Sequence, residues 1–462
     1  MIEDEPVRQE SISVGRVDIL AIPSVRKQIW VLAWPVLLNS LLFNMVEIID
    51  TVMVGRLGPQ AVAAVGLGGH VFSVVMVLLF AIAAGTIALV ARSVGSNDKE
   101  TAQQVLKQSM ILAIIFSVVT MVPGIYFARD ILALFRLEPE VTELGTPYVQ
   151  IIMAAVIFLS VGIIFASGLQ GAGDTRTPLY ISIVINILNV GANYVLIFGK
   201  LGFPRLGVTG AAIGTAGSLG MGIVIFVFLF MSKRLILSMP VLPLKVDWDL
   251  IRRILRVGFP VALSQLLLQV GFLIYLRIMA IFGAKPVAAY VIGVRILTLA
   301  FIPGMGFAAA ASTLVGQNLG AGFPEKAKES AREACRLAIL FMSLLGTVFF
   351  LAARPIGYLI IQDIEVVALT AIFIRILAVA QPMMAIDFTL GGALRGAGDT
   401  KWPLYAISVG FYLFRLPLAY FFAGVINLPI LWAWMTLLVD YAVRNIIIIS
   451  RFRSEKWKEI KV

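Results

Sequence analysis

The chain contains 462 residues, of which 60% are hydrophobic and only 14% are charged. Together with a mean hydropathy of +0.97, this composition excludes a soluble domain of this length. The formal net charge is +11, so the distribution of lysine and arginine along the chain needs an explanation.

Apolar runs long enough to cross a hydrocarbon core of about 30 Å recur from Ile29 to Ser450. Because no backbone polar group can go unpaired in lipid, these runs are predicted to be helices. They are expected at 29–55, 61–91, 102–128, 143–171, 178–199 and 207–232, and then at 250–281, 287–317, 327–352, 368–396, 403–425 and 428–450. The predicted fold class is an all-α membrane protein with twelve transmembrane helices.

The second half of the chain repeats the first. GAGDTRTPLY begins at Gly171 and GAGDTKWPLY begins at Gly396, and the same offset of 225 residues relates Gly95 to Gly320. A constant register over half the chain indicates one unit built twice. Since six helices per unit is an even number, the sequence predicts two parallel six-helix lobes related by a pseudo-two-fold axis along the membrane normal.

Lysine and arginine are concentrated in the N-terminal arm, the C-terminal tail and alternate loops, which predicts that both termini are cytoplasmic. The same bias explains the net charge, so no nucleic-acid partner is expected. The arm carries both charge signs and no apolar core, unlike a cleavable signal. The expected divisions are a cytoplasmic arm at 1–28, an N-lobe at 29–232, a cytoplasmic linker at 233–249, a C-lobe at 250–452 and a cytoplasmic tail at 453–462.

Helix 1 carries Asn44, Glu47 and Asp50 at a spacing of three residues, which places them on one drifting face. Two neighbouring carboxylates inside a bilayer repel each other when both are ionised, so one is expected to hold a proton. Such a pair is suited to taking up H⁺, or to holding Na⁺ beside amide oxygens. In the alternative interpretation Asp50 merely reaches the membrane interface.

Helix 5 carries three asparagines, Asn186, Asn189 and Asn193, within eight residues. A single asparagine in a membrane helix commonly holds neighbouring helices together, whereas three indicate the wall of a polar cavity. Pro35 interrupts the hydrogen bonding of helix 1 and favours a kink that could serve as a hinge.

The C-lobe has charges of a different kind. Asp440 and Arg444 stand four residues apart, so an intrahelical ion pair is the simplest interpretation. Arg415 lies near the middle of helix 11, where pairing with Asp387 or Asp440 and contact with a substrate both remain open. The chain has one histidine and one cysteine, which argues against a metal cluster and against an intramembrane enzyme.

Four stretches resemble the MATE (multidrug and toxic compound extrusion) transporters. EIIDTVMVGRLG from Glu47 to Gly58 is similar to the first helix of that family, and LQGAGDT and LRGAGDT are similar to its two helix–loop motifs. NVGANYVLIFG from Asn189 is similar to its fifth helix. The resemblance implies twelve-helix antiporters without a cofactor, which expel cationic or amphipathic compounds in exchange for H⁺ or Na⁺ and alternate between outward- and inward-open forms.

The resemblance also implies residue roles. Asp50 corresponds to the coupling residue of the family, Asn189 and Tyr148 belong to the same polar network, and Pro35 corresponds to the kinking proline. Many prokaryotic relatives carry a second aspartate where this chain has Asn193, and Glu47 could supply that carboxylate instead. The identity of the coupling ion, H⁺ or Na⁺, is left undecided by the sequence. No metal ion other than Na⁺ at Asp50 is expected.

The first hypothesis is a monomeric multidrug antiporter whose drug or toxic cation occupies a cavity between helices 1, 2, 7 and 8. The alternatives are a flippase or exporter of lipid-linked or anionic substrates, an intramembrane enzyme and a passive channel. The proposed substrate-binding residues are Asn44, Asn186, Met53, Gln265, Gln269 and Arg415.

Overall fold

The computed structural model describes residues 19–135, 138–232, 235–237 and 245–460. Within these ranges, twelve helices are long and apolar enough to span a membrane, which confirms the predicted fold class. In chain order they are α1 Val25–Gly55, α2 Pro59–Gly95, α3 Lys99–Tyr126, α4 Pro139–Gly171, α5 Arg176–Phe198, α6 Gly207–Met231, α7 Trp248–Phe282, α8 Ala284–Gly320, α9 Pro324–Leu351, α10 Ile364–Gly396, α11 Lys401–Val425 and α12 Ile430–Arg453.

The expected boundaries between divisions shift in detail. The last residues of the expected arm belong to α1, which begins at Val25, and Ile19 is already buried in a turn of 3₁₀ helix before it. Residues 1–18 of the arm, and 233–234 and 238–244 of the expected linker, lie outside the described residues. The linker is also shorter than expected, because α7 begins at Trp248.

The duplication is preserved in three dimensions. The bounds of α2, α3 and α4 recur in α8, α9 and α10 after the same offset of 225 residues. A short helix follows α3 at Ala128–Ala133, and its counterpart follows α9 at Ala353–Ile360. The helices form the two parallel six-helix lobes that the repeat predicts.

Both GAGDT turns use glycine in the left-handed region, at Gly173 (φ +94°) and Gly398 (φ +88°). The Asp174 carboxylate accepts hydrogen bonds from the backbone nitrogen (3.0 Å) and hydroxyl (2.6 Å) of Thr177, so it caps the start of α5. Asp399 has a different partner, because its carboxylate accepts a 2.6 Å hydrogen bond from Arg451.

The C-terminal residues fold back onto the bundle. Trp457 is fully buried and stacks on Phe452, with 5.2 Å between the ring centroids. Glu455 accepts hydrogen bonds from Lys328 of α9 and from Lys458, and these bonds lower the pKa of the Glu455 carboxyl to about 2. The described part of the expected tail is therefore attached to the C-lobe.

The N-terminal parts of α1 and α7 each pack in the core of the opposite lobe. Ile29 and Leu32 of α1 belong to the hydrophobic core of the C-lobe, together with Phe307 of α8. Ile254 and Val257 of α7 belong in turn to the core around α2, α3 and α4. The first half of each lobe's leading helix thus packs in the other lobe, which the sequence analysis did not foresee.

Backbone-to-backbone contacts form the seam between the lobes at this end. A methyl group at Gly95 would lie 2.0 Å from the carbonyl oxygen of Gln317, and one at Gly320 would lie 2.0 Å from that of Arg92. These two contacts are related by the repeat. A methyl group at Gly258 of α7 would likewise lie 2.1 Å from the carbonyl oxygen of Ala81 in α2.

Gly258→Ala is expected to force α2 and α7 apart, at a cost of about 1–3 kcal/mol in the free energy of unfolding. Gly191→Ala is the matched control, since Gly191 also lies within a helix and nothing stands within 4 Å of its added methyl group. Thermal unfolding of the two purified variants measures the difference. Equal midpoints would contradict the close packing at the seam.

Candidate functional site

The N-lobe site is built where α1 faces α5. The Asn193 side-chain nitrogen donates a 2.8 Å hydrogen bond to the Asp50 carboxylate. Asn193 is fully buried and Asp50 is partly buried. A hydrogen bond to an ionised acceptor is among the stronger ones in proteins, so this contact fixes the position of the carboxylate against α5.

The polar network continues from α5 to α6. Asn193 also donates to the Asn189 side-chain oxygen at 3.3 Å. Asn189 donates to the hydroxyls of Thr215 at 3.1 Å and Ser218 at 3.5 Å. The network therefore joins α1, α5 and α6.

Gly214 of α6 makes room for this network. A methyl group at Gly214 would lie 2.1 Å from the side-chain oxygen of Asn193. Gly214, Thr215 and Ser218 are not among the site residues expected from the sequence. A signal was available, because a glycine followed by two hydroxyl residues three positions apart is a small polar face on an otherwise apolar helix.

Tyr148 of α4 closes one side of the site. Its ring packs so tightly on α2 that a methyl group at Gly68 would lie 2.6 Å from it. Tyr148 also contacts the apolar cluster that contains Val54 of α1, and it is an electrostatic neighbour of Asp50. The structure thus brings Tyr148, Asn189, Asn193 and Asp50 together.

Glu47 lies one helical turn before Asp50 and is its electrostatic neighbour, but its side chain is exposed. Met53 lies on the other side and packs with Ile197 and Val208 in the cluster between α1, α5 and α6. The two carboxylates of α1 thus differ in environment, since only Asp50 has a hydrogen-bonding partner from α5.

Other predicted residues lie outside this network. Asn44 donates to the Ser40 carbonyl oxygen of its own helix at 2.8 Å. The buried side-chain nitrogen of Asn186 has no hydrogen-bond partner within the described parts of the chain. Gln265 and Gln269 are exposed on α7, one turn apart.

Pro35 is buried within α1, and the helix continues through it to Gly55. The helix is therefore not broken at this position. The role of Pro35 as a hinge stays a prediction.

The charged residues of the C-lobe form a buried cluster. Arg444 donates to both carboxylate oxygens of Asp440, at 2.6 and 3.0 Å, as the spacing in α12 predicts. A nitrogen of Arg444 also lies 3.7 Å from the carboxylate of Asp387 in α10. Arg415 of α11 lies 3.5 Å from Asp440 and is only 2% exposed.

Comparison with known proteins agrees with this architecture. The model of the MatE family matches residues 35–195 and 260–421, one segment in each lobe. The chain belongs to the MATE family. Its members are membrane transporters and not enzymes, so this chain is a multi-pass membrane transporter.

One relative of this MATE protein is the "Probable multidrug resistance protein NorM" of Thermotoga maritima. The two are 32% identical, and the match covers 95% of this chain and 94% of the relative. An efflux transporter for small molecules is the function that this relationship supports.

Two solved structures share the fold. A MOP superfamily transporter from Pyrococcus furiosus, described as having a binding pocket of reverse polarity that suggests a different function, matches with a TM-score of 0.88 at 22% identity, covering 97% of this chain and 100% of the other. An outward-facing multidrug resistance MATE family transporter matches with a TM-score of 0.86 at 23% identity, covering 94% and 97% of the two chains.

Asn193→Leu is expected to remove the hydrogen bond to Asp50 and to lower the free energy of unfolding by about 1.5–3 kcal/mol. Asn186→Leu is the matched control and should change stability little, because the Asn186 amide nitrogen is already unpartnered in the described structure. A double-mutant cycle of Asn193→Leu and Asp50→Asn, measured by thermal unfolding, gives the interaction energy between the two side chains. Additive effects of Asn193→Leu and Asp50→Asn would contradict the coupling.

Proposed function

We propose that this MATE transporter expels cationic or amphipathic compounds in exchange for H⁺ or Na⁺, with Asp50 as the ion-coupling residue. The observation that carries the proposal is the partly buried Asp50 carboxylate held by Asn193 at 2.8 Å. Placing an ionisable carboxyl group within a membrane costs free energy, and residues of this kind commonly mark the path of an ion or a proton.

Two groups make this site suitable for a small cation. The Asp50 carboxylate supplies a negative charge, and the Asn193 side-chain oxygen, which faces Gly214 and lacks a hydrogen-bond partner among the described residues, would join it if the amide turned. Carboxylate and amide oxygens are the ligands that hard cations prefer, and a proton would need only the carboxylate. Tyr148 and Asn189 support the geometry, while the exposed Glu47 attracts cations to it.

Ion binding would bias the transporter between two conformations. With both termini in the cytoplasm, the seam at Gly95, Gly258 and Gly320 closes the cytoplasmic side, and the cavity opens outward. A ligand shifts such an equilibrium only by its difference in affinity for the two states. Neutralising Asp50 weakens its hydrogen bond with Asn193 of α5. The change in this contact shifts the equilibrium between the two conformations, and the drug is released in one of them and bound in the other.

The drug would bind between the outer halves of α1, α2, α7 and α8. These helices carry large exposed apolar side chains, among them Phe43 of α1 (61%) and Leu273 of α7 (68%). Flexible and apolar surfaces of this kind tolerate many ligand shapes. We propose that Asn44, Asn186, Gln265 and Gln269 supply polar contacts to the drug and that Met53 supplies an apolar one.

Export of lipid-linked or anionic substrates is the less favoured alternative. It would use Arg415 to hold an anionic headgroup, but Arg415 is only 2% exposed and is engaged with Asp440. A lipid headgroup with its acyl chains attached cannot reach a side chain that is enclosed in this way. Export of cationic or amphipathic drugs agrees better with the position of the charges.

Asp50→Asn is expected to reduce ethidium efflux from proteoliposomes at least tenfold under an imposed pH or Na⁺ gradient, because the neutral amide cannot take up a proton and lacks the negative charge that attracts Na⁺. Asp98→Asn is the control, since Asp98 is an exposed N-cap residue of α3 and asparagine caps equally well. Efflux in the unaltered protein that follows only one of the two gradients identifies the coupling ion. Full efflux by Asp50→Asn would overturn the proposed role.

A further inference from the structure

The duplication gives the N-lobe ion site a counterpart in the C-lobe. At the offset of 225 residues, Asp50 corresponds to Tyr275 and Thr215 corresponds to Asp440. Tyr275 is fully buried and donates a 2.7 Å hydrogen bond to the Ala433 carbonyl oxygen. The place that holds a carboxylate in one lobe therefore holds a phenol in the other.

A guanidinium group lies against this phenol. The central carbon of Arg415 is 4.5 Å from the ring centroid of Tyr275, 4.8 Å from that of Phe411 and 5.8 Å from that of Phe272. The aromatic rings cover the faces of the guanidinium. Its N–H groups point along its edges and need acceptors of their own.

Arg415 has the Tyr275 hydroxyl as one hydrogen-bond partner and Asp440 lies 3.5 Å from its Nη1, but further acceptors are missing from the described residues. Buried Nε and Nη2 of Arg415 and the buried hydroxyl of Tyr290 have no hydrogen-bond partner there. Tyr290 is adjacent, since its ring centroid lies 5.3 Å from that of Tyr275 and it is an electrostatic neighbour of Arg415. Buried donors without acceptors are uncommon, because each loses its hydration without replacement.

The charges of the cluster do not balance. Asp440 is engaged by Arg444 at 2.6 and 3.0 Å, so its 3.5 Å contact with Arg415 is a shared one. Asp387 is shared in the same way between Arg444 at 3.7 Å and Arg395, its electrostatic neighbour. Three arginines and two aspartates leave one positive charge in excess, which is costly in a low-dielectric interior.

The backbone of α11 differs from its counterpart at this point. Residues Ser408–Arg415 form a π-helix, whereas α5 is α-helical from Arg176 to Phe198. The position equivalent to Asn189 is Phe414, and the wider turn ends one residue later at Arg415. Such π-helical turns are frequent at functional sites.

We propose that the pocket around Arg415 binds one small monovalent anion, with Nε and Nη2 of Arg415 and the hydroxyl of Tyr290 as donors. The anion would neutralise the excess charge and satisfy the three donors. Because Arg415 is only 2% exposed, the anion is expected to be small. The two lobes would thus carry related pockets of opposite polarity. The inference does not depend on drug export.

The first test is thermal unfolding of protein purified throughout in sodium gluconate, whose anion is too bulky to enter, and then titrated with sodium chloride. A saturable rise in the midpoint is expected for the unaltered protein and for Asp50→Asn. Sodium formate distinguishes a carboxylate ligand from a halide ligand. No chloride-dependent rise in the unaltered protein would overturn the proposal.

Variants of the pocket make the test specific. Arg415→Gln should abolish the chloride effect, and Tyr290→Phe, which removes only one hydroxyl, should weaken the apparent chloride affinity severalfold. Equal chloride responses in Tyr290→Phe and the unaltered protein would exclude this hydroxyl as a donor and would overturn the pocket as described.

A crystal grown in sodium bromide locates the ion directly. An anomalous peak within hydrogen-bonding distance of Arg415 Nε or Nη2 is the expected result, and it would stand even if Arg415→Gln failed to fold. Bromide peaks found only at the protein surface would overturn the proposed site.

Discussion

The contact of helix backbones between the two lobes is the constraint on which the other features depend. At Gly95, Gly258 and Gly320 the backbone of one lobe lies against carbonyl oxygens of the other, with no space for a methyl group. In lipid, helices associate through close packing and not through a hydrophobic driving force, so small residues decide where they meet. This seam holds the two lobes together at one end of the bundle.

The same frame carries different chemistry in its two copies. The N-lobe places the Asp50 carboxylate beside the Asn193 amide, which donates to it, and Asn193 is linked through Asn189 to the Thr215 hydroxyl. The C-lobe places Tyr275 at the equivalent position, with the guanidinium of Arg415 against its ring. The packing glycines at Gly95 and Gly320 and the GAGDT turns recur in both lobes, whereas the polar interior differs.

Much of the fold could be predicted, and the site only in part. Length and hydropathy predict twelve spans because lipid permits only helices at such lengths. Asp50, Asn189 and Tyr148 were expected together through the family resemblance. Thr215 and Ser218 were missed, since hydroxyls on an apolar helix acquire a role only when Asn189 faces them. The exchange of α1 and α7 between the cores was not foreseen either, because hydropathy does not say which neighbour a helix packs against.

The sequence by itself determined the number of helices, their parallel duplication and the Asp440–Arg444 pair, all of which depend on periodicity along one chain. Only the tertiary structure decided that Asn193 donates to Asp50, that Gly214 makes room for this contact, and that Arg415 lies enclosed by aromatic rings with two N–H groups unpartnered in the described structure. Each of these depends on the rotation of one helix against another, and local sequence carries no record of that angle.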